Sequence, residues 1–180
     1  MDKKIYILIG PSASGKTTLG RFLQDNGVEE LVSHTTRDMR DGEEEGLTYY
    51  YTTKDKFDGL KKVEKTVYDG NFYCLSAKEI ESKLEDSDRV FVIMDRYGTN
   101  EMLESEYNDL IEVVYIKVGY VDILMRLMSR DGIIKAFRRF YHALVNKEFN
   151  NGDIADRIIE NNEGNLEKTK RELMDFINNS

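Results

Sequence analysis

Eight consecutive residues near the amino terminus have the types and spacing of a phosphate-binding loop. Residues 10–17, GPSASGKT, match the pattern G-x-x-x-x-G-K-[ST] and follow an apolar run at 5–9. Glycines let backbone N–H groups converge on phosphate oxygens, and the following helix adds the positive end of its dipole. Lys16 is expected to reach the β- and γ-phosphates, and the Thr17 hydroxyl to ligate Mg²⁺. The predicted phosphate site comprises Ser12, Ala13, Ser14, Gly15, Lys16, Thr17 and Thr18.

A second candidate anion site lies in the loop that carries Arg37 and Arg40, with Tyr49 further along the chain. Two guanidinium groups can hold one phosphate through forked, charge-assisted hydrogen bonds, and a phenol adds another donor. Taken alone, the two arginines are more typical of solvated charges that pair with the neighbouring acids at 38, 41 and 43–45.

Positive charge is concentrated in one later segment, although the formal net charge of the chain is −8. Between residues 126 and 147 a single acid, Asp131, accompanies the basic residues Arg126, Arg130, Lys135, Arg138, Arg139 and Lys147. Phosphoryl transfer depends on positioning and charge neutralisation, so this segment is expected to close over a phosphate, with Asp131-Gly132 as a candidate hinge. A solvated helix face is the alternative.

Strand and helix signals alternate along the chain without internal repeats. Strands are predicted at 4–9, 31–34, 89–95, 111–118 and 158–159, and helices at 16–24, 76–86, 121–129, 133–145 and 165–177. Between 35 and 71 the pattern is irregular, with a β-rich stretch at 47–53 and a short helix at 55–62. The repeated strand, helix and strand units predict an α/β fold with a parallel sheet covered by helices on both faces.

Asp95 closes the predicted strand at 89–95, and ligands of such sheets bind beyond the carboxyl ends of the strands. Its carboxylate is expected to orient a substrate group or to hold Mg²⁺ through water. The alternative is a carboxylate that begins the next helix.

Composition limits the classes of function. The chain has 180 residues, 40% of them hydrophobic, and is expected to form one domain. Its acidic balance argues against nucleic acid and anionic membranes as partners and leaves small phosphorylated ligands open. The single cysteine, Cys74, fits a reducing compartment, and no signal peptide or membrane-spanning run is evident. A cytoplasmic location is therefore expected.

The motifs together resemble the guanylate kinase family. GPSASGKTT, SHTTRDMRDGEEEG, the tyrosine at 49 and YDGNFY ending at Tyr73 occur in that family's order, and RLMSR at 126–130 and IIEN at 158–161 extend the resemblance. It implies a P-loop NTPase three-layer sandwich with a parallel central sheet. The core would span about 1–34, 76–125 and 150–180, with a small mixed β insertion that binds the monophosphate at about 35–75 and a helical lid at about 126–149.

The resemblance also implies an activity, because guanylate kinases use Mg²⁺ to transfer the γ-phosphoryl group of ATP to GMP. GMP or dGMP is the implied acceptor. Matching positions assign guanine to Ser33 and Glu64, the acceptor phosphate to Arg37, Arg40, Tyr49 and Tyr73, and the adenine side to Asn161. The implied catalytic set is Lys16 with Arg126, Arg130 and either Arg138 or Arg139, of which we favour Arg139.

Glu64 has a physical rationale beside the resemblance. Guanine presents two adjacent donors, N1–H and the exocyclic amine, and an ionised carboxylate can accept both, whereas adenine does not offer that pair. Without the resemblance, a surface ion pair with Lys61, Lys62 or Lys65 would be the expected role of Glu64.

Some positions depart from the family pattern. Leu75 stands where that family has serine or threonine, Ile93 where it has aspartate, and Met39 where it has proline. A leucine cannot hydrogen-bond guanine, so one base contact is missing unless Ser76 replaces it. These departures weaken the expected base recognition and leave the phosphate-binding residues intact.

Two further functions stay open for this chain. One is a module that binds a protein partner without catalysis, although the intact Lys16, Thr17, Arg37 and Arg40 argue against it. The other is a kinase or ATPase with a different acceptor, for which Leu75 and Ile93 leave room.

Overall fold

The structure of this chain is a computed structural model that describes residues 3–68 and 70–180. Asp69 of the YDGNFY segment lies outside the described residues. The strands are β1 Lys4–Ile9, β2 Glu29–Glu30, β3 His34–Thr35, β4 Tyr50–Tyr51, β5 Lys62–Tyr68, β6 Asn71–Ser76, β7 Arg89–Ile93, β8 Ile111–Lys117 and β9 Arg157–Glu160. The α-helices are α1 Lys16–Asp25, α2 Lys54–Asp58, α3 Ala77–Asp86, α4 Arg96–Leu103, α5 Tyr120–Asp131, α6 Ile133–Val145 and α7 Leu166–Asn179.

A parallel five-stranded sheet in the order β2-β7-β1-β8-β9 forms the centre of the molecule. The side chains of β1 between Ile5 and Ile9 are fully buried, as expected for a strand that helices cover on both faces. Ile5 and Ile7 pack with Ile80 of α3 on one face, and Tyr6 and Leu8 pack with helices α1 and α7 on the other. The predicted three-layer α/β architecture is confirmed.

A smaller mixed sheet, in the order β4-β3-β6-β5, interrupts this pattern within the predicted insertion. Strands β3 and β4 are parallel, whereas β6 is antiparallel to both β3 and β5. Strand β5 occupies a lysine-rich segment that follows the predicted helix at 55–62, and α2 is shorter than predicted, ending at Asp58. Charged and apolar residues do not alternate regularly there, so the strand is defined by its antiparallel pairing with β6.

The strand predicted at 31–34 is wrong in its position. The structure has β2 at Glu29–Glu30 in the central sheet and β3 at His34–Thr35 in the smaller one. Leu31 and Val32 connect the two sheets, and the Val32 N–H donates to the Glu79 carboxylate at 3.0 Å. Leu31 and Val32 are both buried. Their apolar character therefore indicates burial, which does not by itself make a segment a strand.

Helices α5 and α6 cover the segment implied to be a lid and meet at Gly132, whose φ is +76°. Ile123 and Leu127 of α5 pack with Ala136 of α6. The helical spacing predicted for 133–145 is confirmed, yet several large apolar side chains of α6 are exposed, with Ile134 at 87% exposure. Within 3–68 and 70–180, none of the helices has the length and apolar character needed to cross a membrane.

Candidate functional site

The predicted phosphate loop connects β1 to α1 at the carboxyl edge of the parallel sheet. Gly15 closes the loop with φ +100°, a left-handed conformation that residues with a side chain rarely adopt. A Cβ at Gly15 would also lie 2.5 Å from the Asn161 amide nitrogen. The Ser14 hydroxyl is buried in the loop without a hydrogen-bond partner among the residues described. The local backbone therefore requires glycine where the sequence motif has it.

Asn161, which directly follows β9, and Arg126 of α5 both form hydrogen bonds with this loop. The Asn161 Nδ2 atom donates to the Ser14 carbonyl at 2.8 Å, and its Oδ1 atom accepts from the Thr169 hydroxyl at 3.2 Å. The Arg126 guanidinium donates to the Asn161 carbonyl at 2.7 Å and to the Ala13 carbonyl at 3.3 Å. Two residues predicted for the site, far apart in sequence, are thus joined to the loop by direct contacts.

Lys16 is folded back onto the loop that precedes it. Its Nζ atom donates to the carbonyl oxygens of Gly10 at 2.6 Å and Pro11 at 3.0 Å. Burial lowers the pKa of Lys16 to about 8, although the nearby Glu148 carboxylate favours the charged form. An anion with more charge than one carboxylate would restore the ordinary pKa and would compete for the ammonium group.

Glu148, which the sequence analysis did not select, contacts the phosphate loop directly. Its Oε2 atom accepts a hydrogen bond from the Ser12 N–H at 3.1 Å. A carboxylate therefore binds one of the amides that the motif provides for phosphate oxygens. Glu148 follows α6 and is adjacent to Lys147, and no local sequence pattern distinguishes it from a surface acid.

A cavity of about 510 Å³ opens above this loop. It is lined by Ser12, Ala13, Ser14, Gly15, Lys16, Thr17, Thr18, Arg126, Arg130, Asn161, Asn162, Glu163, Gly164 and Leu166. The predicted loop residues, Arg126, Arg130 and Asn161 thus share one space. Since amides, a lysine and two arginines face it, the cavity suits a polyanionic ligand.

Asp131 holds two of the basic residues of the lid segment together. Its carboxylate accepts from the Arg130 guanidinium through two bonds of 3.0 Å and from Arg139 at 2.8 Å. These hydrogen bonds lower the pKa of Asp131 to about 2. Arg138 is exposed and forms no ion pair with the described part of the chain. Arg139, rather than Arg138, therefore lies beside Arg130.

A second cavity of about 550 Å³ adjoins the first, and Thr17 lines both. Its lining includes five residues predicted for a substrate: Ser33, Tyr49, Glu64, Tyr73 and Asp95. Other lining residues include Thr48, Thr66 and Ile93. Residues from the small sheet and from the end of β7 therefore enclose one space next to the phosphate loop.

Arg37 lies beside Tyr49, which lines the second cavity, although Arg37 itself is not among the lining residues. Its guanidinium lies 5.6 Å from the centroid of the Tyr49 ring, and Tyr49 packs against Tyr73 with centroids 5.7 Å apart. Glu43 accepts from the Arg37 guanidinium at 2.8 and 3.0 Å, which lowers the pKa of Glu43 to about 2. Arg40 is exposed and contacts Glu43 through its backbone: its N–H donates to the Glu43 carboxylate at 2.8 Å, and its carbonyl accepts from the Glu43 N–H at 3.1 Å.

Glu64 is buried at the inner end of the second cavity. Burial, with Asp95 and Glu101 nearby, raises the pKa of its carboxyl to about 7. Gly98 makes room for it, because a Cβ there would lie 3.2 Å from the Glu64 side chain. Surface ion pairing with the neighbouring lysines is therefore excluded as the role of Glu64.

Asp95 both begins the next helix and faces a cavity, the two positions that the sequence offered as alternatives. Its Oδ1 atom accepts from the Gly98 N–H at 2.9 Å and caps α4, and its side chain also lines the second cavity. The cap fixes the carboxylate at the carboxyl end of β7, beside the phosphate loop.

Comparison with known proteins identifies a family in which such a phosphate loop occurs. A sequence model of the guanylate kinase family matches residues 2–180. The guanylate kinase of Fusobacterium nucleatum is 26% identical over 97% of this chain and 96% of its own length. The guanylate kinase of Rhodopseudomonas palustris (strain HaA2) is 32% identical over 70% of this chain, and that match spans 60% of the relative's length.

Solved structures show the fold independently of sequence. A guanylate kinase structure from Anaplasma phagocytophilum superposes with a TM-score of 0.71, at 21% identity, over 98% of this chain and 85% of that one. A shikimate kinase from Acinetobacter baumannii matches with a TM-score of 0.52 over 97% of this chain and 93% of that one. The phosphate loop, the two adjoining cavities and the match across residues 2–180 all agree, and the chain belongs to the guanylate kinase family.

Proposed function

We propose that this protein transfers the γ-phosphoryl group of ATP to GMP, or to dGMP, and releases ADP and the diphosphate. The observation that carries the proposal is that the phosphate-loop cavity and the Glu64 cavity meet at Thr17. Phosphoryl transfer requires a donor and an acceptor side by side, with the reacting oxygen in line with the bond that breaks. The guanylate kinases named above support the choice of nucleotides.

The first cavity is assigned to ATP. The loop amides and Lys16 would bind the β- and γ-phosphates, and Asn161 would lie on the adenine side. Arg126 already contacts the loop, while Arg130 and Arg139 are available from Asp131 to neutralise charge on the group in transfer. An oxygen of the acceptor phosphate attacks the γ-phosphorus, and the bond to the β–γ bridging oxygen breaks as ADP leaves.

The second cavity is assigned to GMP. Glu64 would accept N1–H and the 2-amino group of guanine, with Ser33 nearby. Tyr49, Tyr73 and Arg37 form the end of the cavity that suits the acceptor phosphate, and Arg40 would turn in from the surface. Binding of that phosphate would replace Glu43 on Arg37.

Mg²⁺ fits the residues present between the cavities. The Thr17 hydroxyl, which lines both cavities, and the Asp95 carboxylate of the second cavity are the hard oxygen ligands that this cation prefers. When bound with ATP, the ion would neutralise charge on the phosphates. We assign the reaction to the cytoplasm, where ATP is abundant and a lone thiol stays reduced.

A second candidate is a kinase of the same type that prefers another monophosphate. Leu75 favours it, because that side chain is fully buried and gives the second cavity no polar group.

The proposed function predicts which acceptors stimulate ADP release from ATP. GMP and dGMP should do so, and AMP, CMP and UMP should not, because only guanine presents two donors to Glu64. Lys16→Ala should lower kcat by at least about 100-fold, since a charge on the transferred group loses its partner. Lys168→Ala, on the exposed face of α7, is the matched control and should retain activity. ATP binding without stimulation by any monophosphate would overturn the proposal.

The pKa of Glu64 predicts how GMP recognition depends on pH. Only the ionised carboxylate accepts both guanine donors, and its pKa in the protein is about 7. The KM for GMP should therefore fall about tenfold as the pH rises from about 6 to 8. Glu64→Gln should have a higher KM that retains only the small pH dependence of the substrate phosphate. An identical KM profile in both proteins would show that Glu64 does not bind the base.

Glu148 predicts a measurable competition with ATP. Because its carboxylate binds the Ser12 amide, ATP must displace a negative charge from the loop. Glu148→Gln should lower the KM for ATP by about threefold with little change in kcat. Glu167→Gln removes an equal charge from the exposed start of α7 and should leave this KM unchanged. An increased KM in Glu148→Gln would instead mean that Glu148 assists ATP binding.

A further inference from the structure

We infer that Thr66 is a specificity-determining residue whose hydroxyl donates to the guanine carbonyl oxygen O6. This inference rests on the proposed function, since it concerns the base of the acceptor in the second cavity. It assigns to a strand residue the contact that Leu75 cannot make. The sequence analysis did not select Thr66.

The pairing of β5 with β6 determines where Thr66 lies. Glu64 is opposite Leu75 and Thr66 is opposite Tyr73 in an antiparallel ladder whose register is regular between these pairs. Glu64 and Thr66 are two residues apart on one strand, so their side chains point to the same face of the sheet. Both line the second cavity, together with Tyr73. Lys65, between them, is exposed on the other face.

The alternative hydroxyl on β6 is already engaged elsewhere. Leu75 is fully buried in the core with Ile80, and the Ser76 hydroxyl accepts from the Glu79 N–H at the start of α3. Replacement of the missing contact by Ser76 would remove this helix cap. The structure therefore does not support the substitution of Ser76 for Leu75 that the sequence left open.

The Thr66 hydroxyl, by contrast, is available. It forms no hydrogen bond with any of the residues that the structure describes, and its side chain is half-buried at the cavity wall. Among the other hydroxyls of the cavity, that of Thr48 accepts from the Glu44 N–H at 3.2 Å. Tyr49 and Tyr73 belong to the end of the cavity beside Arg37. Thr66 shares β5 with Glu64 and is opposite Tyr73, so it lies between Glu64 and that end of the cavity.

Guanine requires a donor at this place. An ionised Glu64 accepts from N1–H and the 2-amino group but offers nothing to O6, the neighbouring acceptor. A carbonyl oxygen has two lone pairs, so O6 can accept from Ser33 and from a second donor. A threonine hydroxyl is such a donor. Loss of this second donor would lower affinity for guanine and reduce discrimination against bases that lack O6.

Steady-state kinetics of Thr66→Val test the inference, because valine keeps the shape and removes the hydroxyl. The KM for GMP should rise about tenfold while kcat stays within about twofold of the parent value. Thr66→Ser should restore the parent KM. Thr52→Val, at a half-buried threonine that directly follows β4 and lines neither cavity, is the matched control and should have parent kinetics.

A guanine analogue distinguishes a lost contact from a distorted cavity. 2-Aminopurine riboside monophosphate keeps the 2-amino group but lacks both O6 and the N1–H donor, so it should bind the parent more weakly than GMP does. Because it has no O6 to lose a contact, the parent and Thr66→Val should bind it equally in competition with GMP. An unchanged KM for GMP in Thr66→Val, with the parent enzyme active on GMP, would overturn the role of Thr66 and leave the proposed function intact. Equal losses for GMP and the analogue would also overturn it, since they indicate distortion. A parent enzyme inactive on GMP would overturn both.

Discussion

The parallel pairing of β1 with β7 is the constraint on which the site depends. It places the carboxyl ends of both strands at one edge of the sheet, so the phosphate loop after β1 and Asp95 after β7 become neighbours. The loop then bends at Gly15 into α1, and Thr17 at the start of that helix lies between the two cavities. Without this pairing, the two cavities would not adjoin.

Electrostatic compensation is the second feature that unites the site. Several groups suited to a phosphate are paired with carboxylates of the chain itself: the Ser12 amide with Glu148, Arg37 with Glu43, and Arg130 and Arg139 with Asp131. These contacts give cationic and amide groups internal partners in a protein whose formal net charge is −8. Binding of phosphates then exchanges one anion for another, so the net gain is smaller than the bare attraction.

Local sequence patterns predicted the parts of the structure whose geometry is local. The phosphate loop and the helices at 76–86 and 133–145 each depend on residues close together in the chain, and the structure contains all three. The strand at 31–34 and the strand β5 could not be placed in this way. Leu31 is apolar because it passes between two sheets, and β5 is defined by its long-range pairing with β6.

In the candidate site, too, the features that the sequence did not predict depend on long-range contacts. In the sequence, Glu64 resembles a surface acid among lysines. In the structure it is buried, because β5 pairs with β6 and Gly98 leaves room for its side chain. Glu148 and Thr66 had no distinguishing sequence signal, because their contacts join segments separated by long stretches of chain or depend on which strand face lines a cavity. The choice between Arg138 and Arg139 likewise required the position of Asp131.

The central claim is that two nucleotides bind at once in cavities that meet at Thr17. Calorimetric titration with adenosine and guanosine joined by five phosphates tests it most directly, because one molecule must then span both spaces. The account predicts one site per chain and binding at least about tenfold tighter than ATP or GMP alone. Binding no tighter than that of ATP, with GMP still able to bind the saturated protein, would contradict it.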